Sequence, residues 1–425
     1  MVLKPLDLPR LRAQFPALAQ QRDGQAVIYA DGPGGTQVPL SVTDAMTAYL
    51  TTSNANFGGV FAASKETNAL VSRVRTGVAS FLNAASAEEI IFGQNMTSLT
   101  FAMSRALART WQTGDEIIVT TLDHDANVQP WRMAAEDRGV VVRTLPFSGS
   151  EMALSVADLM PLLSSRTRLV ALSAASNAVG TIVDLQPLIA AARSVGALTY
   201  VDAVHYAPHG ILDVQALGCD FLACSAYKFS GPHLGIQYGR RTLLESLTAY
   251  KVRPSSALPP GKWETGTQNT EAIAGLQACL THLAELGGEQ PHALVTRANL
   301  IAGMHRIMAH EQALSARFLA GLATIPGLTV YGRVDPAQVH ARTPTFGLTL
   351  ATCTPRQASE FLAARGISVW DGHFYAQGVI EQLGLADRGG LLRIGFAHYT
   401  SVEEVDVVLA ALRDVVLMTS DHQRL

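Results

Sequence analysis

Short apolar segments rich in β-branched residues alternate with amphipathic segments through much of the chain, and this alternation constrains the fold more than any other feature. The apolar segments lie at residues 90–92, 116–119, 140–142, 169–173, 200–202 and 235–238. Strands that alternate with helices form a mostly parallel sheet, which helices cover on both faces. We therefore predict an α/β fold in which a ligand binds outside the carboxyl ends of the strands.

A polar residue follows each of five predicted strands: Thr97, His124, Asn177, Asp202 and Lys228. We expect these residues to share one cleft, because the carboxyl ends of parallel strands meet at one edge of a sheet. A lysine at a strand end can form a Schiff base with an aldehyde, and a carboxylate can pair with a pyridinium nitrogen. Pyridoxal phosphate requires both groups. Taken alone, either residue is more often a solvated loop charge.

The other strand-end residues also have two interpretations each. Thr97 opens a helix, where free N–H groups suit a phosphate, although an ordinary helix cap is the commoner case. His124 can stack on an aromatic cofactor and move protons, or be a surface histidine. Asn177 can donate to a phenolic oxygen, or hold a turn. Arg393, on a later strand, can bind a carboxylate through two hydrogen bonds, or lie on the surface.

Composition excludes several classes of function. The chain has 425 residues, of which 48% are hydrophobic and 16% charged, so we expect two domains with a large core. The net charge of −3 without a basic run predicts neither nucleic acid nor a membrane as partner. The four cysteines follow no disulfide or metal-ligand spacing, and His305 and His310 do not match a zinc helix. We expect a cytoplasmic protein without a metal ion.

The later part of the chain predicts a smaller α+β domain. Two long helices, at residues 272–285 and 295–322, precede short strands at 328–331, 346–350, 367–370 and 391–394 and a last helix at 403–416. The predicted organisation has an N-terminal segment (1–25) that packs near the small domain. A large cofactor-binding domain (26–275) and the small C-terminal domain (276–425) follow.

These motifs together resemble the class V aminotransferase family of fold type I pyridoxal phosphate enzymes, in particular its cysteine desulfurase and selenocysteine lyase branch. The similar segments are the turn at 95–98, the motif 123–127 around His124, the motif 176–181 around Asn177, Asp202, the lysine at 228, the motif 264–269 and the motif 392–395. The resemblance implies a large domain with a mostly parallel seven-stranded sheet, a smaller C-terminal α+β domain, and pyridoxal 5′-phosphate as cofactor.

The resemblance also implies a role for each matched residue. The implied catalytic residues are Lys228, His124 and Asp202. The implied cofactor-binding residues are Met96, Thr97, His124, Asn177, Asp202, His205, Ser225, Tyr227, Lys228 and Thr267. The implied substrate-binding residues are Arg393, Gly34, Gly35, His373 and Tyr375. In relatives the residue at the Thr267 position reaches the phosphate of the neighbouring subunit, which implies a homodimer with shared active sites.

Three positions depart from the family pattern. His205 stands where relatives usually carry a glutamine, and Tyr227 where many desulfurases have a histidine. In the loop at 370–377, Tyr375 stands where desulfurases present the catalytic cysteine. A phenol cannot accept sulfane sulfur as a persulfide, whereas a thiolate can. Cys353 lies on a different predicted element and is not an obvious replacement.

We therefore expect an enzyme that acts on an amino acid by lyase-type cleavage of a C–S or C–Se bond without a protein persulfide. In this hypothesis His373 and Tyr375 belong to the substrate pocket. An aminotransferase or an epimerase of the same fold is the alternative, because elimination, transamination and racemisation all pass through a carbanion at the α-carbon. A non-catalytic cofactor-binding or sulfur-relay protein is the alternative from another class.

Overall fold

The computed structural model describes residues 4–288 and 293–422, with side chains up to residue 417. Residues 1–3, 289–292 and 423–425, which belong to the predicted segments 1–25 and 276–425, lie outside the described residues. The described strands are β1 (Gln21–Arg22), β2 (Gln25–Ala26), β3 (Ile28–Tyr29), β4 (Ile90–Gly93), β5 (Glu116–Thr120), β6 (Val141–Leu145), β7 (Thr167–Ser173), β8 (Leu198–Asp202), β9 (Phe221–Ser225), β10 (Gly235–Gly239), β11 (Leu328–Tyr331), β12 (Thr345–Leu350), β13 (Ile367–Ser368), β14 (Trp370–Gly372) and β15 (Leu391–Gly395).

Fourteen α-helices occur in the described part of the chain. They are α1 (Leu8–Arg12), α2 (Leu40–Ala48), α3 (Ala62–Leu82), α4 (Met96–Ala108), α5 (Gln129–Glu136), α6 (Val156–Leu159), α7 (Leu185–Ser194), α8 (Val214–Leu217), α9 (Arg241–Ser246), α10 (Thr270–Gly288), α11 (Arg297–Leu322), α12 (Pro355–Ala363), α13 (Gln377–Gln382) and α14 (Val402–His422). Most of them cover the two sheets described next.

A seven-stranded sheet forms the centre of the molecule, with the strand order β4-β10-β9-β8-β7-β5-β6. Strand β10 runs antiparallel to both of its neighbours, and the other paired strands are parallel. Every residue of β5 and β9 is buried, as expected for strands that helices cover on both faces. The predicted α/β fold with a mostly parallel seven-stranded sheet is confirmed.

Alternate residues of each central strand contribute to different cores. On β7, Val170 and Leu172 pack into the core on one face of the sheet, whereas Leu169 and Ala171 pack into the core on the other. This follows from the two-residue repeat of a strand, whose successive side chains point to opposite faces. Apolar residues at every position of these strands are therefore needed, which explains the continuous hydrophobic runs in the sequence.

A second sheet of four antiparallel strands, in the order β11-β12-β15-β14, forms a separate core with α11, α12 and α14. The single strand predicted at residues 367–370 is instead two strands. Strand β13 pairs with β3, and β14 pairs with β15. Helix α12 was not predicted, although the reciprocal hydrogen bonds between Thr354 and Gln357 form a capping box that the sequence pattern contains.

Helices α1 and α14 contact each other. The Arg12 guanidinium donates to both carboxylate oxygens of Glu404, at 2.8 and 2.9 Å, and links α1 to α14. The predicted domain boundary between residues 275 and 276 falls inside α10, so the division into domains stays a proposal. Within the described ranges, no helix combines the length and the apolar character that crossing a membrane requires.

Candidate active site

A cavity of about 960 Å³ opens at the carboxyl edge of the central sheet. The five residues that we expected to share a cleft all line it: Thr97 after β4, His124 after β5, Asn177 after β7, Asp202 at the end of β8 and Lys228 after β9. The other predicted site residues that line it are Met96, His205, Ser225, Tyr227, Arg393, Gly34, His373 and Tyr375. Two predicted residues, Gly35 and Thr267, do not line the cavity.

Lys228 lies in the turn Ala226–Lys228 that follows β9. Its Nζ donates a hydrogen bond to the carbonyl oxygen of Pro33 and lies 4.9 Å from the centre of the Tyr227 ring. Burial and the nearby Arg393 cation together lower the pKa of Lys228 to about 7, against the opposing charge of Asp202. A substantial fraction of this amine is therefore neutral, and hence nucleophilic, near neutral pH.

Asp202 is the last residue of β8, and its Oδ1 accepts a hydrogen bond from the Val204 N–H at 2.9 Å. Burial raises the pKa of Asp202 to about 6, and the nearby Lys228 cation opposes this rise. A buried carboxylate of this kind is stabilised by a cation placed next to it, since the cation favours the ionised form.

A second buried carboxyl group, Asp123, lies close to Asp202 and was not among the predicted site residues. Its Oδ1 accepts from Asn127 Nδ2 at 2.6 Å, and its Oδ2 accepts from the Thr120 hydroxyl. Burial raises the pKa of Asp123 to about 8, and the charge of Asp202 raises it as well. Asp123 is therefore mostly protonated at pH 7, so that Asp202 carries the negative charge of this pair.

The amino terminus of α4 forms one wall of the cavity. Asn95 caps this helix by accepting from Ser98 N–H at 2.9 Å, and the Met96 N–H donates to Ser225 Oγ at 3.1 Å. Thr97 is exposed in this first turn. Helix α4 has 13 residues, so its N–H groups and dipole provide a favourable environment for an anion.

His124 provides a flat ring on the opposite side. Its Nδ1 accepts a hydrogen bond from Ala126 N–H at 3.0 Å, which places the ring proton on Nε2. Burial, together with the cations Lys228 and Arg393, lowers the pKa of His124 to about 4. The ring is therefore neutral at physiological pH. It stacks on Tyr375, with ring centres 5.4 Å apart and an interplanar angle of 24°.

Arg393 reaches the cavity from β15 of the second sheet. Its Nη1 donates to the Asn177 carbonyl at 3.0 Å, and its Cζ lies 4.2 Å from the centre of the Phe374 ring. The Arg393 Nε is buried and has no hydrogen-bond partner among the described residues. Burial lowers the pKa of Arg393 to about 9, so the guanidinium remains charged at neutral pH. A charged guanidinium whose Nε has no partner in the described structure fits a carboxylate ligand.

His205 makes its contact below the cavity. Its Nε2 lies 3.1 Å from Thr343 Oγ1, and its ring packs edge-on against His209, which pairs with Glu311 at 2.8 Å. Burial holds the pKa of His205 well below its usual value, so this histidine is neutral. A neutral imidazole can still donate or accept one hydrogen bond toward a ligand.

Thr267 and Gly35 are placed differently from the rest. Thr267 is exposed, in a loop that Glu264 holds through hydrogen bonds from Arg75 (2.7 Å) and Phe92 N–H (2.8 Å). Gly35, at a φ of 155°, packs against Tyr227, where a Cβ atom would lie 3.2 Å from the Tyr227 ring. Gly35 thus allows the turn at 31–35 to approach the lysine-bearing turn closely.

Sequence reasoning missed several residues at the cavity. Pro33 holds Lys228, and Phe374 covers Arg393. Asp31, which precedes this part of the lining, has a buried Oδ1 that lacks a hydrogen-bond partner among the described residues. Burial raises the pKa of Asp31 to about 6, against the opposing charges of Arg393 and Lys228. The run at 31–35 was the available signal, but its glycines and proline also fit a simple turn.

All four cysteines belong to the described part of the chain, and none lines the cavity. Cys219, Cys224 and Cys279 are buried, and Cys353 is partly buried. Burial raises the pKa of each of these thiols. A lowered pKa and an accessible position favour a reactive thiolate, and burial has the opposite effect on these four thiols.

Comparison with known proteins gives matches over nearly the whole chain. The family model for class-V aminotransferases matches residues 28–408. A cysteine desulfurase of Pectobacterium carotovorum is 34% identical over 423 residues, covering 96% of this chain and 98% of the relative. A cysteine desulfurase of Dickeya dadantii is 33% identical over 426 residues, with 97% of each chain covered.

Two solved structures are similar to the whole fold. The cysteine desulfurase CsdA from Escherichia coli, in its S-sulfonic acid form, has a TM-score of 0.81 and 28% identity, covering 98% of this chain and 99% of that chain. The apo cysteine desulfurase from Thermococcus onnurineus has a TM-score of 0.84 and 26% identity, with coverages of 98% and 99%.

Proposed function

Because the chain belongs to the class-V aminotransferase family and is a pyridoxal phosphate-dependent enzyme, we propose that it cleaves a C–S or C–Se bond of an amino acid by a lyase reaction, without a protein persulfide. The observation that carries this proposal is the composition of one cavity. Lys228, Asp202 and Arg393 line it together, and no cysteine does so among its described lining residues.

The residues of the cavity fit the cofactor. The Asn177 Oδ1 is buried and has no hydrogen-bond partner among the described residues, so it is available to a polar ligand. The raised pKa of Asp202 shows that its charge is poorly solvated, and a protonated ring nitrogen would stabilise it. Met96 and Thr97, at the start of α4, and Ser225, at the end of β9, would hold the phosphate, and Lys228 would hold the aldehyde carbon.

The bound cofactor supplies an electron sink that makes bonds at the α-carbon of an amino acid easier to break. Lys228, whose pKa is about 7, can act as a general base toward the α-proton near neutral pH. Arg393 would orient the substrate through its carboxylate, using the Nε edge that has no partner in the described structure. His124, which is neutral, would pack on the cofactor ring.

The route without a persulfide rests on the cysteines. The relatives are named cysteine desulfurases, which suggests persulfide chemistry. In this chain every thiol has a pKa that burial raises, and none lies at the cavity. Elimination of a sulfur-bearing group requires no acceptor thiolate, because the sulfur leaves with the bonding electrons and takes up a proton. The non-catalytic alternative is not supported, since the chain is an enzyme by family and keeps the full set of charged residues.

Product analysis separates the lyase from its alternatives. We expect the cofactor-loaded enzyme to form pyruvate and a sulfur product in equal amounts from a sulfur-bearing amino acid. No sulfur from the substrate should be found on a cysteine of the protein. An aminotransferase would instead pass the amino group to an added 2-oxo acid, and an epimerase would racemise the substrate without pyruvate. Either result, or a persulfide on a cysteine, would contradict the proposed reaction.

We also propose a homodimer with shared active sites and a cytoplasmic location. Thr267 is exposed and does not line the cavity of its own chain, and the apolar side chains of Val60 and Phe61 are 86% and 59% exposed. Exposed apolar side chains of this size are typical of a surface that a partner covers. The four free cysteines favour a reducing compartment.

Mixing of two inactive variants tests the shared site. We expect Thr267→Asp to weaken cofactor binding, because an added carboxylate would repel the phosphate of the partner's cofactor. Lys228→Ala is expected to be inactive because it lacks the amine that would hold the cofactor. When the two variants are refolded together, mixed dimers contain one site with neither defect, so part of the activity should return. No recovery in a preparation that sedimentation shows to be dimeric would contradict sharing.

A further inference from the structure

Five aromatic side chains line the cavity and are here called the aromatic wall: Phe101, Trp370, His373, Phe374 and Tyr375. Trp370 is 50% exposed and Tyr375 is 68% exposed, although both rings lie at the cavity. Large aromatic side chains left open at a concave site are typical of ligand recognition, because a ligand ring can cover them.

The backbone of the aromatic wall is held in an unusual conformation. Phe374 and Tyr375 have φ angles of 54° and 57°, in the left-handed region that side chains other than glycine rarely adopt. Asn177 Nδ2 donates to the Phe374 carbonyl at 2.9 Å, and Asp125 N–H donates to the Tyr375 carbonyl at 2.6 Å. These bonds hold the backbone that carries the two rings, since both donors belong to loops of the central sheet.

The charges around the aromatic wall restrict the substrate side chain. Among the described residues that line the cavity, Lys228 is the one lysine and Arg393 the one arginine, and the proposed function uses both. Asp125 and Asp371 also line the cavity, and Asp371 pairs with Arg356 at 3.2 Å. A second carboxylate on the substrate would therefore meet the Asp125 carboxylate and no further lysine or arginine among the described lining residues, which disfavours dicarboxylic amino acids.

We propose that the substrate is an S-substituted cysteine whose sulfur carries an aromatic group, and that the aromatic wall binds that group. This inference rests on the proposed lyase reaction and adds the substrate class to it. A cavity of about 960 Å³ has room for the cofactor and for such a side chain. Tyr375, at the place where relatives present a cysteine, is then a specificity-determining residue rather than a nucleophile.

The reaction balances without an oxidant, a reductant or an acceptor thiol. Lys228 takes the α-proton, and the bond between the β-carbon and sulfur breaks with its electron pair leaving on sulfur. The thiolate takes up a proton and departs as an aromatic thiol. The remaining three-carbon unit takes up one water molecule and releases ammonia, so that pyruvate is formed.

Comparison of S-phenyl-L-cysteine with L-cysteine tests the inference on the cofactor-loaded enzyme. We expect thiophenol and pyruvate in equal amounts, and a kcat/KM for S-phenyl-L-cysteine about tenfold or more above that for L-cysteine. Tyr375→Asn should remove most of this preference, because asparagine tolerates a positive φ but has no ring. Tyr375→Phe, which keeps the ring, should retain the preference and serves as the matched control.

A binding measurement gives a readout that does not depend on turnover. 3-Phenylpropanoate cannot react because it has no amino group, and calorimetry should show it binding at least about tenfold tighter than propanoate or succinate. Tyr375→Asn should abolish this difference. Equal binding of the three acids, or an equal loss for L-cysteine and S-phenyl-L-cysteine in Tyr375→Asn, would overturn the inference.

The two proposals fail in different ways. Pyruvate from L-cysteine or L-cystine but not from S-phenyl-L-cysteine leaves the lyase reaction standing and overturns the substrate class. Pyruvate from none of the three overturns the lyase reaction, and with it the inference. Pyruvate from S-phenyl-L-cysteine together with the loss of preference in Tyr375→Asn supports both.

Discussion

Replacement of Lys228 with methionine is expected to remove the visible absorption of the bound cofactor and to lower turnover by at least about 10²–10⁴-fold, the usual contribution of a general base alone. Lys228 is the one lysine at the cavity among the described residues, so no other amine can take its place there. The absorption spectrum after dialysis measures the first effect, and pyruvate release measures the second. A retained cofactor spectrum would show that another lysine anchors the cofactor.

Lys262→Met is the matched control for this variant. Lys262 is also buried, and its Nζ donates to the Glu245 carbonyl at 2.6 Å, but it does not line the cavity. Loss of this lysine should affect stability and leave the spectrum of the bound cofactor unchanged. An equal loss of cofactor in both variants would point to damage of the fold rather than to the removal of an anchor.

The same Lys228→Met substitution should stabilise the cofactor-free protein at pH 7. Burial lowers the pKa of Lys228 from 10.5 to about 7, so the folded state binds fewer protons than the unfolded chain between these two values. Stability therefore rises with pH across that window, and the cost of the buried charge is greatest below about pH 7. Methionine removes a cost of the order of a few kcal/mol. Thermal unfolding of the cofactor-free forms at pH 6 and pH 10 should show a larger difference at pH 6.

The sequence allowed the central sheet and the residues at its carboxyl edge to be predicted. The apolar runs of β5, β7 and β8 end where the strands end. Short, continuous apolar runs of this kind are typical of buried parallel strands. The positions of His124 and Asp202 followed, since a residue just after such a strand lies at the ligand edge.

The contacts between the two sheets could not be predicted in this way. Phe374 lies on Arg393 and bonds to Asn177 only because strand β14 leads its loop back across the central sheet. Likewise Pro33, which accepts a hydrogen bond from Lys228, lies 195 positions earlier in the chain. Local periodicity carries no information on such pairs, because they depend on how two separate cores pack.

The second large effect is expected from Asp202→Asn, which removes the negative charge next to the proposed position of the cofactor ring nitrogen. Turnover should fall by about 10²–10³-fold, as when one charged or polar group is removed from a preorganised site. The variant should still retain its cofactor absorption, because Lys228 is intact. Spectra and pyruvate release on the same preparation separate this outcome from that of Lys228→Met.

Asp202→Asn should also shift the pH dependence of cofactor uptake. Asp202 raises the pKa of Lys228, so its removal should lower that pKa below about 7. The uptake rate by cofactor-free protein, which follows the neutral amine, should then reach its plateau at a lower pH than in the wild type. Stopped-flow absorbance at several pH values measures this shift.

Asp123→Asn is the natural control for Asp202→Asn, since the two carboxyl groups are neighbours in the same core. The pKa of Asp123 is raised to about 8, so this group is already mostly neutral at pH 7, and an amide changes little of its charge. Its side-chain oxygen can still accept from Asn127. If Asp123→Asn lowered turnover as much as Asp202→Asn, the negative charge would belong to the pair, and Asp202 would lose its separate role as partner of the ring nitrogen.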